Sequence, residues 1–178
     1  SLGQYKSALA LVKRFSRRYP NSLWSPHASV LAARCLLHLK RPKKAAKRLR
    51  TYVLSMPDHP NPVQLRFLLA RAYEESREFR KAAYWYQLTA YQYPADKAAQ
   101  KAQLEANRLK NTHRFKESLF TNAQRLELGE NLRKRKFFEA ALSHFKTVVS
   151  TTKKTDKQRW AAEYQMARTW FQQERFDQ

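Results

Sequence analysis

Seven cations fall within eleven consecutive positions: Lys40, Arg41, Lys43, Lys44, Lys47, Arg48 and Arg50. Ammonium and guanidinium groups at this density can hold carboxylates, phosphates or sulfates. On a helix, Lys43, Lys47 and Arg50 recur at i, i+4 and i+7 on one face, and Lys40, Lys44 and Arg48 form a neighbouring stripe. Like charges at that spacing repel, so the stripe costs stability and predicts an anionic partner. The competing reading is a solvated face in a generally basic protein. Two weaker runs are Arg14, Arg17 and Arg18, and Arg133 through Lys136.

Other reactive types are sparse. None of His27, His38, His59, His113 and His144 is separated from another by three or four positions, so no metal site is readable and no cofactor is expected. Cys35 is the single cysteine; it cannot form an internal disulfide, and its apolar neighbours from Leu31 to Leu39 predict a small buried hydrophobe. Gly3 and Gly129 are the only glycines. Phosphate-cradling loops and nucleophile elbows depend on glycine, so both are excluded. Tyr84, Trp85, Tyr86, Tyr91 and Tyr93 crowd one short stretch and cannot all point inward. Tyr84, Trp85 and Tyr86 are therefore candidate exposed aromatics that could stack on a sugar or a base, against core packing as the alternative.

The elements that carry these residues repeat. Tyr19-Pro20, Met56-Pro57 and Tyr93-Pro94 are 37 positions apart. Tyr5, Pro42 and Phe79 keep the same step, each three residues before an alanine (Ala8, Ala45, Ala82). Two markers with one period predict a repeat of helix pairs. In one unit, helix A runs from about Ser25 to Leu39 with Ser25 as N-cap, and its apolar residues include Ala28, Leu31, Ala32, Cys35 and Leu36. Helix B runs from about Lys43 to Ser55 with Ala45, Ala46, Leu49, Tyr52 and Val53 inward; Pro57 and Pro60 end it. The next pair is 62–75 and 79–92. The step then fails, with the next aromatic-x-x-Ala at Phe137 and Ala140, 58 positions after Phe79. Residues 97–110 read as an extra helix and the place for a bend. Phe115 to Arg133 reads as a long helix A and Phe137 to Val149 as its helix B. Asp156 to Gln173 carries Trp160, Tyr164, Ala167, Trp170 and Phe171 on one face, and Phe176 stands where a further helix B would begin. The expected fold is all-α, a tetratricopeptide-like α-solenoid in one continuous domain. Residues 1–94 are regular, 95–112 an extra helix and 113–178 less regular.

Composition supports this frame. The 178 residues are 43% hydrophobic, which argues against disorder, and no apolar run is long enough to span a membrane. Lys and Arg total 36 against 14 Asp and Glu, a net charge of +22. Nucleic acid, anionic glycan, anionic lipid and acidic protein all fit that charge. The chain opens and stops in mid-pattern, which predicts a piece of something longer.

The segments Gly3-Gln4-Tyr5-Lys6-Ser7-Ala8 and Arg77-Glu78-Phe79-Arg80-Lys81-Ala82, with the closing Tyr-Pro, resemble the tetratricopeptide repeat. They depart from it in length and lack its Trp-Leu-Gly opening. Residues 125–129, Phe138-Glu139-Ala140-Ala141-Leu142 and the stretch from Trp160 to Phe176 resemble the superhelical region of soluble lytic murein transglycosylases. Tyr19-Pro20-Asn21-Ser22-Leu23-Trp24 also looks like the outer-membrane assembly lipoprotein with tetratricopeptide repeats. The transglycosylase resemblance implies a periplasmic location and a catalytic domain beyond Gln178. Glu75-Ser76 resembles that family's catalytic glutamate-serine pair, but it closes a repeat helix and lacks the expected Gly-Leu-Met-Gln type segment, so this stretch is expected to be non-catalytic.

Three functions follow as expectations. One is a non-catalytic scaffold of a periplasmic peptidoglycan lytic transglycosylase, meeting murein or partner proteins. Another is a free-standing protein-interaction module of envelope assembly. The last is a nucleic-acid-binding helical repeat, disfavoured because the corresponding positions Arg41, Glu78 and Lys136 show no recurring base-reading code.

Overall fold

The computed structural model describes residues 2–55, 62–115 and 118–177; for residues 26 and 175–177 only the backbone is described. The expected all-α architecture is the observed one. The described helices are α1 (Leu2–Arg18), α2 (Ser25–His38), α3 (Pro42–Ser55), α4 (Pro62–Glu75), α5 (Phe79–Gln92), α6 (Lys97–His113), α7 (Asn122–Lys134), α8 (Phe138–Thr151) and α9 (Lys157–Asp177). No strand occurs among the described residues. The chain forms two compact units, residues 1–115 and 116–178.

In the first unit, α1 to α5 stack in sequence, each helix on the next, and α6 packs on both α5 and α4. The turns between the helices of a pair are short, which makes neighbours antiparallel. Each of these turns ends helix A the same way. Lys40 N–H donates to Leu37 O at 2.9 Å and Arg41 N–H to Leu36 O at 2.8 Å. Arg77 N–H donates to Glu74 O and Glu78 N–H to Tyr73 O, both at 2.9 Å. Lys40 and Arg77, 37 positions apart, have positive φ of 54° and 64°. The left-handed corner usually given to glycine is filled by a cation. Pro42 then opens α3, where its missing N–H costs nothing. Ser25 does not cap α2. The N-cap is Trp24, and the Ser25 hydroxyl instead donates to Tyr19 O and Pro20 O, each at 3.0 Å, folding the α1–α2 connection down.

Alanine sets the helix spacing. Ala33, Ala45, Ala70 and Ala82 are fully buried, and the inward set on α3 is Ala45, Ala46, Leu49, Tyr52 and Val53 as expected. Cys35 is buried as expected, and burial pushes its thiol up, away from nucleophilic chemistry. Leu31, read as part of the apolar face of α2, is exposed. The helix at 97–113 has a proper start, with Asp96 Oδ1 accepting from Ala98 N–H at 2.7 Å. It is fixed to α4 by Arg108, whose guanidinium pairs with Glu74 and, at 2.7 Å, with Glu105.

The second unit packs α7, α8 and α9 together. The long helix expected from Phe115 is not present. A capping box starts α7 at Asn122: Gln124 N–H donates to Thr121 Oγ1 at 3.2 Å, and Thr121 N–H donates to Gln124 Oε1 at 2.9 Å. The repeat register also shifts by one. The left-handed corner is Lys136, and Phe138 opens α8, so Phe138 and Ala141, not Phe137 and Ala140, correspond to Phe79 and Ala82. Ala141 is fully buried and Ala140 only partly. The step from Phe79 is thus 59 positions. With that register Ala33, Ala70 and Gly129 are equivalent, and so are Leu49, Tyr86 and Phe145. Around Phe145 lies a core of Leu132, Ala141, Val148 and Ala162. Among the described side chains of α9 the buried ones are Ala162 and Thr169; Trp160, Tyr164, Trp170 and Phe171 are exposed. Met56, Pro57, His59 and Pro60 lie outside the described residues, as does the side chain of Phe176.

Candidate functional site

The basic stretch of the sequence becomes the end of one turn and the outer face of α3. Lys40, Arg41, Lys43, Lys44, Lys47 and Arg50 are all exposed. Among the described residues no carboxylate lies within 4 Å of Lys40, Lys43, Lys44, Lys47 or Arg50. With Ala45, Ala46, Leu49, Tyr52 and Val53 turned inward, the opposite face of α3 carries Lys43, Lys44, Lys47 and Arg50 into solvent. Arg48 differs from its neighbours. It is half-buried, it donates to Ser16 Oγ at 3.5 Å, and its buried Nε has no acceptor among the described residues.

These cations border grooves on both sides of α3. One groove, of about 500 Å³, runs between α1 and α3 down to α2, lined by Lys13, Leu36, Lys44, Lys47, Arg48 and Thr51 among others. The other, of about 630 Å³, runs between α3 and α5 down to α4, lined by Arg50, Leu54, Tyr73, Lys81, Tyr84 and Leu88 among others. Tyr73 reports the charge of the second groove. Burial pushes its phenol up, while nearby Arg50 and Lys81 pull it down. Lys81 is already engaged, since its Nζ is 2.5 Å from Glu78 Oε2. That hydrogen bond, together with Ser76 and Lys43, holds the Glu78 carboxyl below its ordinary value. A further groove of about 670 Å³ joins Lys40, Arg41, Lys43 and Lys44 to the next turn at Glu75, Ser76 and Arg77.

The aromatic candidates do not form a stacking surface. Trp85 and Tyr86 are buried and Tyr84 is half-buried. Tyr86 packs edge-on against Phe67, and its hydroxyl donates to Glu74 Oε2 at 3.2 Å; burial and that carboxylate push its phenol up. The expectation of exposure failed because α5 is covered by α4 on one side and α6 on the other, so most of its circumference is core. Exposed aromatics occur instead at Trp24, on the α1–α2 connection, and along α9. A small groove of about 210 Å³ between α2 and α4, on the opposite side from α3, is lined by His27, Val30, Leu31, Gln64, Leu65 and Leu68 among others.

The remaining sequence candidates are placed as follows. Glu75 ends α4 in an ion pair with Arg71 at 3.0 Å, and the Ser76 hydroxyl donates to Tyr73 O at 2.9 Å. Glu75 is thus held on a helix end by an exposed arginine. Arg133 does not join a basic patch: it is buried, and its Nη1 donates to Gln172 Oε1 at 2.6 Å, tying α7 to α9. Arg14, Arg17 and Arg18 are exposed on α1. His38 stacks on Tyr5 and His113 on Phe79, with ring centroids 4.3 Å and 3.9 Å apart. Among the described residues no three His, Cys, Asp or Glu side chains gather to hold a metal ion, and no helix is long and apolar enough to cross a membrane.

Comparison with known proteins agrees with the repeat. Residues 1–64 match the family model described as tetratricopeptide repeat. Two solved structures are similar, a Podosopora anserina protein described as a kinesin light chain with nearly identical TPR-like repeats and a variant of it. Each is 17% identical, with 94% of this chain and 78% of that chain covered and a TM-score of 0.42. No curated protein matches. The chain is an all-α helical repeat whose first 64 residues match the tetratricopeptide repeat model.

Proposed function

We propose that this chain is a non-catalytic docking scaffold that holds an acidic protein partner against α3 and the grooves beside it. The observation that carries the reading is the set of exposed cations at Lys40, Lys43, Lys44, Lys47 and Arg50, none in an ion pair among the described residues. An acidic surface brought to them gains attraction and relieves their mutual repulsion. Nucleic acid is the weaker fit, since of the rings that line the groove beside Arg50, Tyr73 and Trp85 are buried and Tyr84 is half-buried, which leaves bases little to stack on.

The test is binding of a fluorescein-labelled Asp/Glu peptide, followed by anisotropy at physiological salt beside a single-stranded oligonucleotide of equal charge. The triple variant Lys43→Glu, Lys47→Glu, Arg50→Glu changes only exposed positions. It should weaken peptide binding by about 10- to 100-fold, as expected for reversing a few surface charges. Unchanged affinity in the triple variant, or tighter binding of the oligonucleotide than of the peptide, overturns the proposal.

A narrower reading makes the scaffold part of a periplasmic peptidoglycan lytic transglycosylase. It is favoured by the cadence of residues 125–142 and 160–176 and by the carboxylates of murein, which suit a basic surface. Purified protein that sediments with cell-wall sacculi at physiological salt, with duplex DNA in excess, supports it. Protein that stays in the supernatant, or is released by the DNA, removes it and leaves the docking scaffold in place.

A further inference from the structure

The two grooves that flank α3 are one groove built twice. Stepping 37 positions along the chain carries Lys13 to Arg50, Leu36 to Tyr73, Lys44 to Lys81 and Thr51 to Leu88, and each pair lines the two grooves in the same place. Two features survive the step. Each wall presents a cation, Lys13 facing Lys44 and then Arg50 facing Lys81. Each floor is an apolar or aromatic side chain from the intervening helix, Leu36 and then Tyr73. A solvated basic face would need neither the matched positions nor the apolar floor.

The series ends after two members. One more step from Arg50 reaches Gln87, which is buried, and one more from Lys81 reaches Ser118, outside the first compact unit. The helix that follows α5 breaks the 37-residue step, so no third groove of this kind can form.

The grooves share α3 as a common wall. A helix with its side chains is roughly 10–12 Å across, and an extended chain advances about 3.3–3.6 Å per residue, so crossing α3 takes roughly three or four residues. Lys13, Lys44 and Arg50 have no carboxylate within ion-pair distance among the described residues. Cationic rims over apolar floors match a segment that carries carboxylates and apolar side chains together. A nucleic-acid strand has the charge, but its bases need an exposed ring to stack on, and the floor residues Leu36 and Tyr73 are buried.

We propose that the two grooves form a two-site track for one extended acidic peptide segment, which seats two apolar side chains roughly three or four residues apart on either side of α3 while its carboxylates meet Lys13, Lys44 and Arg50. This rests on the reading of the basic face as a docking surface for an acidic partner and names the kind of segment it takes.

The experiment compares labelled probes by anisotropy at physiological salt. They are an Asp/Glu peptide with two leucines three residues apart, the same composition with the leucines adjacent, oligoglutamate of equal charge, and a single-stranded oligonucleotide of equal charge. Each is titrated against the full chain and against Lys13→Glu, Arg50→Glu, the double variant and Lys153→Glu. All these positions are exposed, and Lys13→Gln and Arg50→Gln serve as milder versions should a reversal disturb the helices. The spaced-leucine peptide should bind about tenfold more tightly than either acidic control. Lys13→Glu and Arg50→Glu should each weaken it severalfold, the double variant by about the product, and Lys153→Glu not at all. Equal binding of the three acidic probes, all weakened by Arg50→Glu, overturns the track and leaves the acidic docking surface standing. Loss of all peptide binding, or preference for the oligonucleotide, overturns both.

Discussion

Phe145→Ala should cost the second compact unit about 3–5 kcal/mol, the usual penalty for emptying a large aromatic from a packed core. Phe145 is fully buried and is the hub of the Leu132, Ala141, Val148 and Ala162 cluster. Small domains are stable by only about 5–15 kcal/mol, so this one change should remove much of the margin. Urea unfolding followed by near-UV circular dichroism reads it. The same ring fixes the sign of a second change. A Cβ on Gly129 would lie 2.5 Å from Phe145 Cε1 and 2.7 Å from its Cζ. Helix propensity alone would make Gly129→Ala stabilising by about 1 kcal/mol. The ring, boxed in by its cluster, cannot step aside, and overpacking of about 1–3 kcal/mol should win. In a Phe145→Leu background the clash is gone, and Gly129→Ala should become neutral or favourable. Strict additivity of the two substitutions would show that the ring is not what demands glycine.

Mild acid should weaken the same unit through His144. Its imidazole is buried on α8, and burial, with the positive charge of Arg125 added, brings its pKa from 6.5 down to about 4. Above pH 6.5 it is neutral in both the folded and unfolded chain and contributes no pH dependence. As pH falls below 6.5 the unfolded chain takes up the proton first, so stability falls until the folded form also protonates near pH 4. The loss across that window approaches about 3 kcal/mol. His144→Leu keeps the site apolar and removes the titration. The difference in urea midpoint between the two proteins should therefore open between pH 7 and pH 4.5, while the carboxylates they share cancel. Parallel pH profiles would show that His144 takes up its proton in the folded chain as readily as in the unfolded one.

Much of this fold was legible because its cause is periodic. The 37-residue markers located α3, α4 and α5 to within a residue, since buried alanine and aromatic positions recur with the helix pairs. The second unit was read less well. Thr121 and Gln124 were the signal for the start of α7, and the aromatic at Phe115 obscured it. The doublet Phe137-Phe138 offered two registers that differ by one residue, and only the left-handed corner at Lys136 separates them. The cations of α3 were legible because a helix face follows from spacing. The burial of Tyr86 was legible as well, one 37-residue step from inward Leu49 and packed on Phe67 of α4, but the crowd of aromatic residues around it obscured the step. The equivalence of the two grooves was present in the 37-residue step, but it could be found only once the lining residues were known.

The corners at Lys40, Arg77 and Lys136 hold full side chains at φ of 54° to 65°. A glycine there would relieve about 1 kcal/mol at each. The protein therefore carries a reserve of thermal hardiness that single substitutions could release, and each release would remove one positive charge. For descendants of this sequence, or for an engineer adapting it, ruggedness and surface charge are opposing choices at the same three residues.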